Sequence, residues 1–321
     1  MTSKVNIIAV GGGKGGIGKS VVCTNLAIGM ALSGQKVVLM DTDFGASNLH
    51  AMLAINNPVH GFQDLFNENS PNTQSLLIDT GISNLKFVSG AGDNPGSANI
   101  DTDKVNKVIS FIKNLQADTI LLDLGPGTNF NVIDFFNIST QNVVLTTPEI
   151  TSVMKTFSFI RSVLFRRISL AFQGNPEIQK LVDHSNPANA DIESYTTDLL
   201  RERFTEDFPD HLDQLNTIIK NFTPGLVVNR VRSKKDLLTG DNLLKLVKKF
   251  LKLEATYLGY IIESDQVRDS VDEMVPFLIK DPQAKHQENN TKHQPHNTNG
   301  ELPRPQIIQK TTQMVNSGGG G

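Results

Sequence analysis

The string Gly11-Gly12-Gly13-Lys14-Gly15-Gly16-Ile17-Gly18-Lys19-Ser20 assembles residue types that act on phosphate. Gly13 and Gly18 bracket four residues ahead of Lys19 and Ser20, the spacing of a phosphate-binding loop. Gly13, Gly15, Gly16 and Gly18 let the backbone turn tightly and aim N–H groups at phosphate oxygens. A helix opening near Lys19 adds the positive end of its dipole. Lys19 is then placed to reach β- and γ-phosphates, and the Ser20 hydroxyl to ligate Mg²⁺. Ile17 and Val21 complete the same cradle.

Carboxylates supply the second half of the chemistry. Asp41 and Asp43 lie two apart at the end of an apolar run, so their side chains leave on the same side. Burying such a pair beside phosphate is costly unless the acids serve a cation or a water, or one of them caps the following turn. Thr119 to Leu122 precede Asp123, which places one acid at the end of a further apolar strand. An acid there holds Mg²⁺ directly or through water. Gly125 and Gly127 follow in a loop whose N–H groups can sense a γ-phosphate.

These groups need a scaffold that delivers strand ends to one edge. Apolar, β-branched runs alternate with amphipathic segments, which predicts an α/β fold with a doubly wound, mostly parallel sheet covered by helices on both faces. Strands are expected at residues 5–10, 36–40, 85–88, 119–124, 142–146, 225–231 and 258–262. Helices are expected over 20–32, 101–114, 150–172, 191–204 and 241–253, with Gly34 ending the first and Asp241 capping the last. Residues 174–221 read as a helical excursion over one edge of the sheet. The chemistry then falls just after strand ends, where open α/β sheets bind ligands. Residues 1–279 form the expected domain. Residues 280–321 are rich in Gln, Asn, His, Thr and Pro and read as a disordered tail.

With Lys14 preceding Gly-Gly-Ile-Gly-Lys-Ser, the loop resembles the deviant Walker A motif of the MinD/ParA ATPases, a branch of the P-loop NTPases. The stretch from Asp41 to Leu49 resembles their switch I. Asp123-Leu-Gly-Pro-Gly127 resembles switch II, with Gly125 ahead of Pro126 as a departure. The resemblance runs from about Val5 to Leu278 and is most similar to the flagellar-number regulators FlhG/FleN. It implies an ATP- and Mg²⁺-dependent homodimer and slow, partner-stimulated ATP hydrolysis. Lys14 would reach the partner subunit's nucleotide, and Asp43 would position the attacking water. Asp41 would sit near Mg²⁺, mostly through water, with Ser20 and Asp123 as the other metal residues. Asn48 would order the catalytic region. Asn229 would hydrogen-bond adenine, and the loop at Glu263 would frame the base. Thr147-Pro148-Glu149 would shape the dimer face. The output implied is control of the number or placement of a cellular structure: flagella, the division site or a partitioned cargo.

Composition narrows the setting. A net charge of −3 argues against bulk attraction to DNA or anionic lipid, so such binding must come from local patches. Two candidates are the lysine face of Lys245, Lys248, Lys249 and Lys252, and the arginines Arg161, Arg166, Arg167, Arg201 and Arg203. A core helix with a solvated face is the commoner explanation of either. A third is the sparse apolar set Ile307, Ile308, Met314 and Val315. Cys23 is the sole cysteine, which fits a reducing cytoplasm and excludes an internal disulfide or a Cys-x-x-Cys site. No secretion signal or membrane span is legible. The expected location is cytoplasmic, with peripheral attachment to the inner membrane or nucleoid in the ATP state. The alternative is an ATP-dependent metabolic ligase of the cobyrinic acid or dethiobiotin type. An iron–sulfur carrier lacks its cysteines.

Overall fold

The structure, a computed structural model, describes residues 5–45, 47–66, 73–90, 100–184 and 196–281. Among these, one sheet contains β1 (Asn6–Gly11), β2 (Val37–Asp41), β3 (Ile78–Asp79), β4 (Leu85–Val88), β5 (Thr119–Asp123), β6 (Gln141–Thr146), β7 (Gly225–Val231) and β8 (Thr256–Ile262). The spatial order is β3-β4-β2-β5-β1-β6-β7-β8. Every pair is parallel except β3 with β4. All five residues of β2 and of β5 are buried, which explains why these strands read as unbroken apolar runs.

The helices are α1 (Lys19–Leu32), α2 (Leu49–Met52), α3 (Thr102–Asn114), α4 (Phe130–Asn137), α5 (Ile150–Ala171), α6 (Pro176–His184), α7 (Thr197–Asp207), α8 (Leu212–Asn221), α9 (Leu238–Leu251), α10 (Asp265–Asp272) and α11 (Phe277–Lys280). They divide unequally. One core joins the sheet to α3, α4, α5 and α9, with α6, α7 and α8 packed outside. The other is made mainly by α1, with Leu49 and Leu278. β1 lies between β5 and β6, and the chain leaves it toward β2 on one side and later crosses to β6 on the other. That reversal opens the crevice into which the loop after β1 projects.

Several expectations are corrected. The last long helix starts at Leu238, not Asp241, which lies inside its first turn. A Ser233–Asp236 capping box starts a short 3₁₀ turn that runs straight into it. α7 is capped by Thr196, whose hydroxyl accepts from the Leu199 N–H, so the helix starts later than predicted; residues 191–195 lie outside the described residues. The excursion packs on the helices α5 and α9, not over the sheet edge. α4 was missed because its eight residues bury Val132, Ile133, Phe135 and Phe136, so little polar periodicity marks them.

The arginine patch is also corrected. Arg161 is buried. Arg166 makes two 2.7 Å bonds to Asp134 and stacks on Phe130, while Arg167 bonds Asn137 and Asn142 and covers the Phe222 ring. Arg161, Arg166 and Arg167 thus present no open basic surface, while Arg203 is exposed beside Glu206. On α9, Leu243, Val247, Phe250 and Leu251 are buried and the lysines are exposed; Lys248 pairs with Glu254 and Lys252 with Asp198. The tail from residue 282, with Ile307, Ile308, Met314 and Val315, lies outside the described residues.

Candidate functional site

The loop after β1 is held from three sides. A Cβ on Gly13 would stand 2.0 Å from the Lys155 carbonyl oxygen, so the loop lies against the first turns of α5. Gly15 approaches the Pro126 ring from the opposite side, with Cβ distances starting at 3.7 Å. Gly16 and Gly18 adopt φ of 73° and 91°, which side chains resist. Behind them, the Asn229 amide donates to the Ile17 carbonyl at 2.7 Å and fills the space a Cβ on Gly18 would need. Ile17 is buried in the core beside α1.

Gly18 caps α1 with no side-chain hydrogen bond, and the first turn contains no acid. Its N–H groups therefore face the loop without an internal anion, as an anion site requires. Val21 lies in the same turn. Lys19 is buried; desolvation lowers its pKa, opposed by Asp123 and then Asp43. Lys14 is half-buried, and it and Arg230 help hold Glu149 below the usual carboxylate range, after the larger effect of the Thr147 hydroxyl.

The acids converge through the sheet. β2 and β5 are neighbours in a register that sets Asp41 beside Asp123. Burial first, and then the Asp41 charge, push Asp123 up to about 8; the Ser20 hydroxyl bonded to it and Lys19 act the other way. Asp123 Oδ1 is buried and has no hydrogen-bond partner. Asp41 is raised to about 6, mainly by burial. Its oxygens accept from the Asp43 N–H at 3.0 Å, the Ser47 hydroxyl at 2.6 Å and the Leu49 N–H at 3.2 Å. Asp41 thus orders the turn that carries Asp43. The Asp43 carboxylate rests on Gly125, where a Cβ would be 3.1 Å from its Cγ. Two clamps escaped sequence reasoning. Thr42 donates both its N–H and its hydroxyl to the Asp123 carbonyl, and Gly90 lies against the Asp41 carbonyl, 2.3 Å from a built Cβ. Neither has a motif signature.

At the far rim, Glu263 forms a two-pronged pair with Arg232. Asn229 and Glu263 both border the crevice, but the Asn229 amide is committed to the loop backbone. Arg230 takes φ 59° in an otherwise extended strand. A side chain held there costs roughly 1–3 kcal/mol of strain. Asn48 precedes α2 without capping it through its side chain.

A twisted parallel sheet, a glycine loop between strand and helix, a buried lysine and two strand-end carboxylates define a P-loop NTPase. The sequence matches the ParA family, described as NUBPL iron-transfer P-loop NTPase, over residues 3–170, and the chain belongs to that family. It is similar to the septum site-determining protein MinD of Helicobacter pylori, 33% identical over 148 residues, which are 46% of this chain and 54% of that protein. MinD of Bacillus subtilis is 25% identical over 147 residues, again 46% of this chain and 54% of its own. The chain spans about half the length of the curated relatives it matches. Among solved structures, MinD of Pyrococcus horikoshii complexed with Mg-ADP superposes with a TM-score of 0.58 at 18% identity, covering 90% of this chain and 96% of that one. The ATP complex of a Cyanothece McdA variant gives 0.56 at 14% identity, covering 92% and 100%. At these identities the structural likeness establishes the fold. The only cysteine, Cys23, is buried in α1, so the chain lacks the exposed thiolates an iron–sulfur cluster would need. No described helix is long and apolar enough to cross a membrane.

Proposed function

We propose that this chain is a Mg-ATP-dependent switch that pairs with a second copy when ATP is bound and separates after slow hydrolysis stimulated by a protein partner. The observation that carries the reading is the buried Asp41–Asp123 pair, with one Asp123 oxygen unpartnered, beside Lys19 and an uncapped helix N-terminus. Two carboxylates on adjacent strands repel, and the most direct relief is a divalent cation. The donor set fits Mg²⁺: a hydroxyl and a carboxylate oxygen, both oxygen ligands of the kind a hard cation takes. Ser20 and Asp123 would hold the ion, with Asp41 acting mostly through water. Mg²⁺, when bound, supplies positive charge to the β- and γ-phosphate oxygens.

The chain's own residues do the rest. The N–H groups from Gly13 to Val21 bind phosphate, and Lys19 neutralises it. Asp43, steadied by Asp41 beneath and Gly125 behind, orients a water and accepts its proton. Lys14 would reach a second copy's nucleotide. Asn229 and Glu263 border the place for the base. Switch I likeness and the Lys14 loop favour the FlhG/FleN branch, hence a cytoplasmic regulator of flagellar number or, more broadly, of the placement of a cellular structure. The surface it reads is DNA at the nucleoid or an anionic inner membrane, and one experiment decides between them.

The test is light scattering of Asp43→Ala with Mg-ATP and Mg-ADP, followed by binding to DNA and to anionic liposomes, with Lys19→Ala as the nucleotide-free control. An ATP-only dimer is the expected result. A monomer in both nucleotides, with product formed from a carboxylic acid, would replace the switch with the ligase reading.

A further inference from the structure

The outer face of α5 carries a charge that the nucleotide site does not use. The Thr156 hydroxyl donates to the Leu145 carbonyl of β6, and Phe159 packs against Gly11, so these residues mark the side of α5 that faces the sheet. Arg161 comes two residues after Phe159, roughly 200° around the helix, and therefore lies on the side turned away from the sheet. It is nonetheless only 4% exposed. The helices of the excursion, α6, α7 and α8, pack on that outer side, and all of them lie beyond residue 170, where the family match ends.

What sets Arg161 apart is burial without a partner. Arg166 and Arg167, further along the same helix, bond Asp134 and Asn137. Among the described residues Arg161 has no hydrogen bond or ion pair, and its Nε is sealed from water with no acceptor. Burial is the cause that lowers its pKa. A guanidinium does not shed its proton to escape such a place, and a buried cation without a counter-charge is costly.

A second arginine faces the same layer. Phe157, one turn before Arg161, packs edge-on against Phe250 of α9 with ring centres 6.2 Å apart, and the Thr197 hydroxyl of α7 donates to the Phe250 carbonyl. At the other end, Phe172 after α5 meets Phe204 of α7 at 5.4 Å. Arg161 and Arg201 both fall between these two junctions, each four residues past the first one on its own helix. Arg201 Nε is also buried without an acceptor. Lys249 stands over the Phe250 ring, 4.7 Å from its centre, and adds a third cation at the junction. The acids around this layer have other partners: Asp198 pairs with Lys252, Glu206 with Arg203 and Glu254 with Lys248, while Glu202 is exposed.

We propose that the layer between α5 and α7 binds a small dianionic oxyanion, with Arg161 and Arg201 as its two cations. Guanidinium forks match the paired oxygens of phosphate and carboxylate, and such bonds are strong where water is excluded. Two arginines with no acid between them suit two negative charges. The site lies on the face of α5 opposite the sheet, so its ligand is distinct from the nucleotide in the crevice.

The experiment uses the full chain saturated with Mg²⁺ and a non-hydrolysable ATP analogue, which fills the phosphate loop. Sodium phosphate and sodium succinate are titrated at constant ionic strength, with sodium chloride as the control, and binding is read by calorimetry and thermal unfolding. At about twenty times its dissociation constant, the oxyanion should raise the melting temperature by about 4 °C. A shift with either supports the site, and the tighter of the two gives its class, phosphate or dicarboxylate. Arg161→Met should lose the shift and bind the oxyanion at least about tenfold more weakly, and Arg201→Gln at least about threefold more weakly, with the ATP analogue still bound in both. No shift with either oxyanion, or an equal shift with chloride, overturns the site. So does an Arg161→Met protein that keeps the parent's shift. If Arg161→Met does not fold, Arg201→Gln decides, and an unchanged oxyanion affinity there overturns the inference.

Discussion

Replacing Asp123 by Asn should stabilise the nucleotide-free protein at alkaline pH, although it removes a metal ligand. Asp123 is fully buried beside Asp41, and its pKa is raised from 3.8 to about 8, first by burial and then by its neighbour's charge. A carboxylate with a raised folded-state pKa favours folding while it is protonated. That advantage is present near the unfolded value and is lost as pH climbs toward the folded one. At about 1.4 kcal/mol per unit, a span of this size is worth several kcal/mol. Much of it is repulsion shared with Asp41, which is itself raised to about 6, so we take roughly 3 kcal/mol as the recoverable part. Asn keeps an acceptor for the Ser20 hydroxyl and carries no charge. At about 2 °C per kcal/mol for a domain of this size, Asp123→Asn should melt about 5 °C above the parent at pH 8 without Mg²⁺. The gap should close toward pH 5, where Asp123 is protonated in the parent. Adding Mg-ATP should reverse the order, because only the parent gains a bound ion. The assay is thermal unfolding of both proteins across pH 5–8 with and without Mg-ATP. A variant that melts lower than the parent at pH 8, or a difference that does not change with pH, would refute the idea that these acids wait for a cation.

Two further substitutions probe the walls of the site. Gly13→Ala places a Cβ 2.0 Å from the Lys155 carbonyl, a contact with no room to relax, so it should destabilise by about 2 kcal/mol or more and weaken nucleotide binding together with melting temperature. Gly125→Ala sets a Cβ 3.1 Å from the Asp43 Cγ, which the acid can avoid only by moving. It should leave ATP affinity within about threefold and lower single-turnover hydrolysis at least about tenfold. Equal loss of binding and turnover would remove Asp43 from its assigned position.

The chemistry of the loop was legible because it is local. Chain connectivity alone brings Gly13, Gly16, Gly18, Lys19 and Ser20 together, and positive φ at Gly16 and Gly18 is a demand only glycine meets easily. Apolar runs buried on both faces announced a parallel sheet and placed seven of its strands to within two residues at either end. α4 escaped because a short segment with half its residues buried carries no clean period, and α6 and α8 were not placed within the stretch that read as helical. The arginine patch misled because sequence shows charge and not its partner. Asp134 and Asn137 lie about thirty positions before the arginines they bind.

What the sequence determined by itself was therefore the kind of chemistry: a phosphate cradle, three acids at strand ends, and a lysine ahead of the loop. What only the tertiary structure decided was adjacency. Parallel register sets Asp41 against Asp123. The first turns of α5 wall in Gly13, and Asn229 secures the loop from a strand 212 residues away. A slipped register between β7 and β8 turns Arg230 outward. Residue types and short spacings are fixed along the chain, whereas contacts between distant strands exist only after the sheet has formed.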